Sequence, residues 1–143
     1  MKFRLFEKPM FYVLLLLIVL PVFMPMNHYE GFQSSNSELS ASEFKDSTKN
    51  GKVFTLFYAN WSGHCKKMKP DWENAAKQVN VNGEKKMVMV DLGDKDDLAQ
   101  EQLRKDYNIR GYPTIVDLEG GKQVGEYSGD RSVSAFVSHV NNM

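Results

Sequence analysis

Apolar and polar positions fall into blocks whose period changes along the chain. Residues 10–26 (MFYVLLLLIVLPVFMPM) form a 17-residue run without a charge. Residues 27–41 are polar and serine-rich, with too little apolar surface to pack, and read as a flexible spacer. Beyond them the blocks shorten. Residues 42–50 predict a short helix ended by Asn50-Gly51. The KVFTLFY run of Lys52–Tyr58, dense in β-branched and aromatic residues, predicts a buried strand. Met68, Trp72, Ala75, Ala76 and Val79 recur on one face of a helix, and Pro70 inside it predicts a kink. Asn82-Gly83 marks a turn, and MVMVDL (87–92) reads as a second buried strand. Residues 96–107 predict a helix carrying Leu98 and Leu103. Residues 114–118 and 123–127 flank a tight Glu119-Gly120-Gly121-Lys122 turn and predict a hairpin. Val133, Phe136, Val137 and Val140 give a last helix over 132–140. The order α, β, α, β, α, β, β, α predicts an α/β fold, a mixed central sheet with helices on both faces.

The opening apolar run lies apart from that domain. A bilayer-spanning helix needs roughly 17–25 apolar residues, so residues 10–26 qualify at the short end. Pro21 and Pro25 interrupt it late. A cleaved signal peptide is the alternative, but residues 27–31 (NHYEG) offer no small-residue cleavage site. Lys2, Arg4 and Lys8 place the positive flank on the N-terminal side, so residues 1–9 are expected in the cytosol and the domain on the lumenal or extracytoplasmic side. The expected layout is a tail (1–9), a transmembrane signal-anchor (10–26), a linker (27–41) and one domain (42–143). Secretion after cleavage is the other outcome.

Composition narrows the partners. Eighteen basic and 18 acidic residues balance, and 42% of the chain is hydrophobic, as in an ordinary globular protein. Residues 27–143 hold 15 basic against 17 acidic residues, which leaves no electrostatic footprint for nucleic acid. Cys65 is the one cysteine in 143 residues, so no internal disulfide can form. His28 and His139 lie far along the chain from His64, so no metal site is expected. Nothing in the sequence asks for a cofactor.

The chemistry concentrates in Trp61-Ser62-Gly63-His64-Cys65, followed by Lys66 and Lys67 at a strand-to-helix junction. Ser62-Gly63-His64-Cys65 has the spacing of a Cys-x-x-Cys redox motif with serine in the first place. A thiol at a helix N-terminus feels the positive end of the macrodipole, which favours the thiolate, and Lys66, Lys67 and Lys69 add positive charge. Serine cannot begin thiol–disulfide exchange, which needs a thiolate to attack a disulfide. Asn60-Trp61-Ser62 also spells an N-glycosylation sequon. It reads as incidental, because a glycan there would cover the motif.

This pattern resembles the thioredoxin fold, and more closely the catalytic domains of protein disulfide isomerases. The resemblance rests on Phe57-Tyr58-Ala59-x-Trp61-x-Gly63-His64-Cys65-Lys66, Pro70, the segment Ile109-Arg110-Gly111-Tyr112-Pro113-Thr114, and Glu126-Tyr127-Ser128 followed by Arg131. It implies that Ser62 occupies the position of an exposed nucleophilic cysteine and Cys65 that of the buried resolving one. It implies a cis proline at Pro113, facing the motif beside a backbone that pairs with extended peptides. Trp61, Gly63, His64, Tyr112 and Pro113 would then line a client groove. Arg131 matches an arginine that lowers the pKa of the resolving thiol. In the family a buried carboxylate lies six residues before the first motif position, with a lysine partner on the next strand. Here those places hold Leu56 and Met89, a joint replacement that drops the proton relay while leaving no stranded charge.

Three functions follow. The first is a membrane-tethered binding module that holds client polypeptides, chaperone-like, without dithiol turnover. The second is a monothiol oxidoreductase or isomerase acting through Cys65 mixed disulfides, with a part in cell redox homeostasis. The third is a redox-inert interaction domain in which Cys65 is packing.

Overall fold

The computed structural model describes residues 37–82, 84 and 86–143. The apolar run 10–26 lies outside them, and among the described residues no helix is long and apolar enough to cross a membrane.

Five strands and four helices alternate: β1 (Glu38–Leu39), α1 (Ala41–Thr48), β2 (Lys52–Tyr58), α2 (Gly63–Val79), β3 (Met87–Asp91), α3 (Leu98–Asp106), β4 (Thr114–Glu119), β5 (Lys122–Glu126) and α4 (Val133–Asn141). The sheet order is β1-β3-β2-β4-β5. β2 lies parallel to β3 and antiparallel to β4, so the sheet is mixed as its connections require. The hairpin closes through Gly120 and Gly121, both at positive φ. Glycine adopts that backbone without the Cβ clash other residues would meet.

Alternation along β2 builds two cores. Phe54, Leu56 and Tyr58 face α2 and α4, where they meet Met68, Trp72, Phe136 and Val140. Val53 and Phe57 face the other side, with Phe44 of α1 and Leu103 of α3. The predicted inward positions of α2, Met68, Trp72, Ala75, Ala76 and Val79, are all buried, and the helix continues through Pro70.

One expectation is corrected. Residues 27–41 do not form a spacer throughout, because Glu38 and Leu39 join the sheet opposite Met89 and Val90, and Ser40 caps α1 with a reciprocal bond to Glu43. Two residues are too few for an alternating pattern to show. On α3 the two leucines stand on different faces. Leu98 is 85% exposed while Leu103 is 1% exposed, since five residues along a helix turn the side chain by about 140° relative to the first.

Candidate functional site at the start of α2

β2 ends at Tyr58, and the chain turns through Ala59 and Asn60 to present Trp61 at the surface. Trp61 is 65% exposed. Its ring is nevertheless fixed: Nε1 donates to the Gly93 carbonyl at 3.0 Å, and the edge of the ring pair with Tyr112 is T-shaped at 5.8 Å. Tyr112 in turn donates its hydroxyl to the Leu92 carbonyl at 2.7 Å, and burial raises its pKa. Gly93 permits this approach, because a Cβ there would lie 2.8 Å from Trp61 Nε1 and 3.0 Å from Asp91 Oδ1. Asp91 fixes the same corner by accepting from the Gly93 amide at 2.9 Å and from the Asn60 side-chain amide.

The Tyr112–Pro113 peptide bond is cis. Gly63 and His64 are exposed and open the first turn of α2, with unfilled space where a Gly63 side chain would stand. Ser62 is the N-cap residue, extended at φ −78° and ψ 123°, but its side chain makes no capping bond. Cys65, one turn in, is 2% exposed and shares a core cluster with Leu56, Tyr58, Met68 and Met89. Leu56 and Met89 are register partners on β2 and β3, so these two apolar side chains occupy adjacent places in the cluster that holds Cys65. Arg131 is exposed. Its backbone amide donates to the Asp130 carboxylate at 2.9 Å, and its guanidinium makes no hydrogen bond or ion pair among the described residues.

A polar cluster that the sequence did not signal lies on the same side of the sheet. Tyr58, 1% exposed, donates its hydroxyl to the Glu38 carboxylate. Lys69 Nζ donates to the Tyr58 oxygen at 3.1 Å and reaches Glu38 at 3.5 Å. Burial, then the Glu38 hydrogen bond, pushes the Tyr58 pKa well above the ordinary phenol value. Because Glu38 comes from the unforeseen β1, no spacing along the chain could have joined these three. Among the described residues no group of three His, Cys, Asp or Glu side chains is placed to hold a metal.

The thioredoxin family profile matches residues 35–142, which covers every element above. The chain belongs to the thioredoxin family. Its thioredoxin domain is of the protein disulfide isomerase kind. It is 31% identical over 137 residues to a protein disulfide-isomerase of Ricinus communis, covering 94% of this chain and 27% of that protein. To a protein disulfide-isomerase of Datisca glomerata it is 36% identical over 104 residues, covering 71% of this chain and 20% of that one. The chain thus spans less than a third of either relative. Among solved structures it is similar to the first thioredoxin domain of mouse protein disulfide-isomerase A4, with a TM-score of 0.61 and 27% identity over 77% of this chain and 76% of that one.

Proposed function

We propose that this thioredoxin domain binds extended client polypeptides without dithiol–disulfide turnover, tethered to a membrane through residues 10–26 with the domain on the extracytoplasmic side. The observation that carries this reading is the contrast at one helix start. Of the recognition parts, Trp61 is exposed and Tyr112 and cis-Pro113 are half-buried, while Cys65 is enclosed and Ser62 occupies the attacking position. An exposed aromatic edge beside a cis proline suits a chain laid down as an added strand, with backbone hydrogen bonds giving affinity and the rings gripping one side chain. The burial of Cys65 weighs against a monothiol route, since a thiolate must reach a client disulfide to attack it. The paired Leu56 and Met89 support the same reading, because both are apolar and neither can relay a proton to the thiol.

The test is capture of a cysteine-free, permanently unfolded client by the full-length chain. Trp61→Ala should weaken capture by about tenfold, the scale of losing an aromatic anchor, while Cys65→Ser should leave it unchanged. Equal capture by Trp61→Ala and the parent chain would remove the groove from the account.

A further inference from the structure

The first turn of α2 leaves an unusual set of donors unused. In a helix the first four amides lack intrahelical acceptors, and a capping side chain commonly accepts from one of them. Here Lys66 is the first to be satisfied, bonding to the Ser62 carbonyl at 3.0 Å. The amides of Gly63, His64 and Cys65 have no acceptor among the described residues. Ser62 does not supply one, whereas Ser40, Asp97 and Ser132 each cap their own helix.

Ser62 itself is the second observation. The residue is 8% exposed, yet its hydroxyl has no hydrogen-bond partner among the described residues. It is also not one of the fully enclosed unpaired polar atoms, which are Thr55 Oγ1 and Trp72 Nε1. At the mouth of the helix the residue is thus nearly buried, while its oxygen stays open and unpartnered among the described residues.

The charge around the mouth selects the acceptor. α2 is 17 residues long and has no acidic residue in its first turn, so its macrodipole presents positive potential there. Lys66 and Lys67 are exposed and form no ion pair among the described residues. Resting on the groove reading above, we propose that Ser62 Oγ and the amides of Gly63, His64 and Cys65 form a carboxylate-binding subsite, filled by an acidic group of the client. The position that meets a client sulfur in dithiol enzymes reads a client carboxylate here. The serine hydroxyl donates to one carboxylate oxygen and the helix amides to the other, in the manner of anions bound at helix N-termini.

The direct probe is sodium acetate against sodium chloride at equal ionic strength, with the ¹⁵N-labelled full-length chain in zwitterionic micelles. Saturable acetate shifts are expected at the amides of Gly63, His64 and Cys65, and Ser62→Ala should weaken them about threefold or more. That variant removes no capping bond, so thermal unfolding should hardly move. Acetate shifts no larger than those of chloride would overturn the subsite. A second arm uses an N-acetylated, C-amidated apolar heptapeptide with central Glu, its Gln counterpart, and the Gln peptide with a free C-terminus. The Glu peptide should bind about tenfold tighter than amidated Gln, with Ser62→Ala erasing most of the gain. A gain for the free C-terminus instead would support the subsite and identify its source as the terminal carboxylate. Equal affinities for all three would overturn it. Should Trp61→Ala bind every peptide unchanged while acetate still shifts the three amides, the groove reading fails and the subsite stands.

Discussion

Leu56 lies directly opposite Met89 across the parallel pair of β2 and β3, and both are sealed in the cluster that holds Cys65. In disulfide isomerases the resemblance places a carboxylate and a lysine at these two positions. Their joint replacement lets the sheet beneath the thiol pack without a charge, which can be neutral or stabilising where removing one partner is not. Leu56→Glu alone should therefore lower unfolding free energy by about 3–5 kcal/mol, the cost of an unpaired buried charge. Leu56→Glu/Met89→Lys should recover part of that. Urea unfolding at neutral pH reads both, and an unaffected single variant would show that the position is wetter than the packing indicates.

Ser62→Cys restores the missing sulfur on an otherwise intact helix start, with Trp61, cis-Pro113 and Cys65 in place. Insulin reduction should become measurable but remain well below that of an ordinary dithiol domain, because Leu56 and Met89 provide no proton relay. Adding Leu56→Glu and Met89→Lys should raise the rate further. Full activity from Ser62→Cys alone would mean that the apolar pair has no bearing on turnover.

Gly93→Ala drives a methyl group against Trp61 Nε1 and Asp91 Oδ1. The indole must swing off the Gly93 carbonyl, so the Trp61 emission should shift and peptide affinity should fall several-fold, with global stability lowered by about 1–3 kcal/mol. Fluorescence and peptide titration on one preparation check both. Unchanged emission would show that the loop yields rather than the ring.

Tyr58 gives a pH signature. Its folded pKa is raised by burial and by the Glu38 hydrogen bond, so the folded state holds the phenol proton more tightly than the unfolded chain does. That contribution to stability is complete below the ordinary tyrosine value near pH 10 and is lost as pH rises beyond it. Urea midpoints should be flat in this respect from pH 8 to 9 and fall above about pH 10, and Tyr58→Phe should shallow the fall. Tyr107, Tyr112 and Tyr127 are also raised by burial, so the variant removes only one share. An identical slope in Tyr58→Phe would contradict the buried phenol.

How far the chain could be read in advance follows from the range of each signal. Lys52–Tyr58 showed its strand because seven adjacent residues carry the propensity, and the α2 face showed because five apolar residues repeat at helical spacing. The motif and Tyr112-Pro113 were legible from local identity alone. The two-residue β1 was not, since its stability comes from pairing with β3 and from Leu39 entering the second core. The Glu38–Tyr58–Lys69 cluster was hidden for the same reason, its members being joined only by the sheet. The unpaired Ser62 hydroxyl was equally invisible, because serine before a helix predicts a cap and only geometry reveals one that caps nothing.

Client capture without sulfur chemistry is the role proposed for this domain. It is tested most directly by offering an unfolded, disulfide-bearing client to the full-length chain, with and without Cys65→Ser, and resolving the products under non-reducing conditions. Equal capture by both chains and no mixed disulfide on the parent are expected. A Cys65-dependent mixed disulfide, with capture lost in Cys65→Ser, would contradict that role.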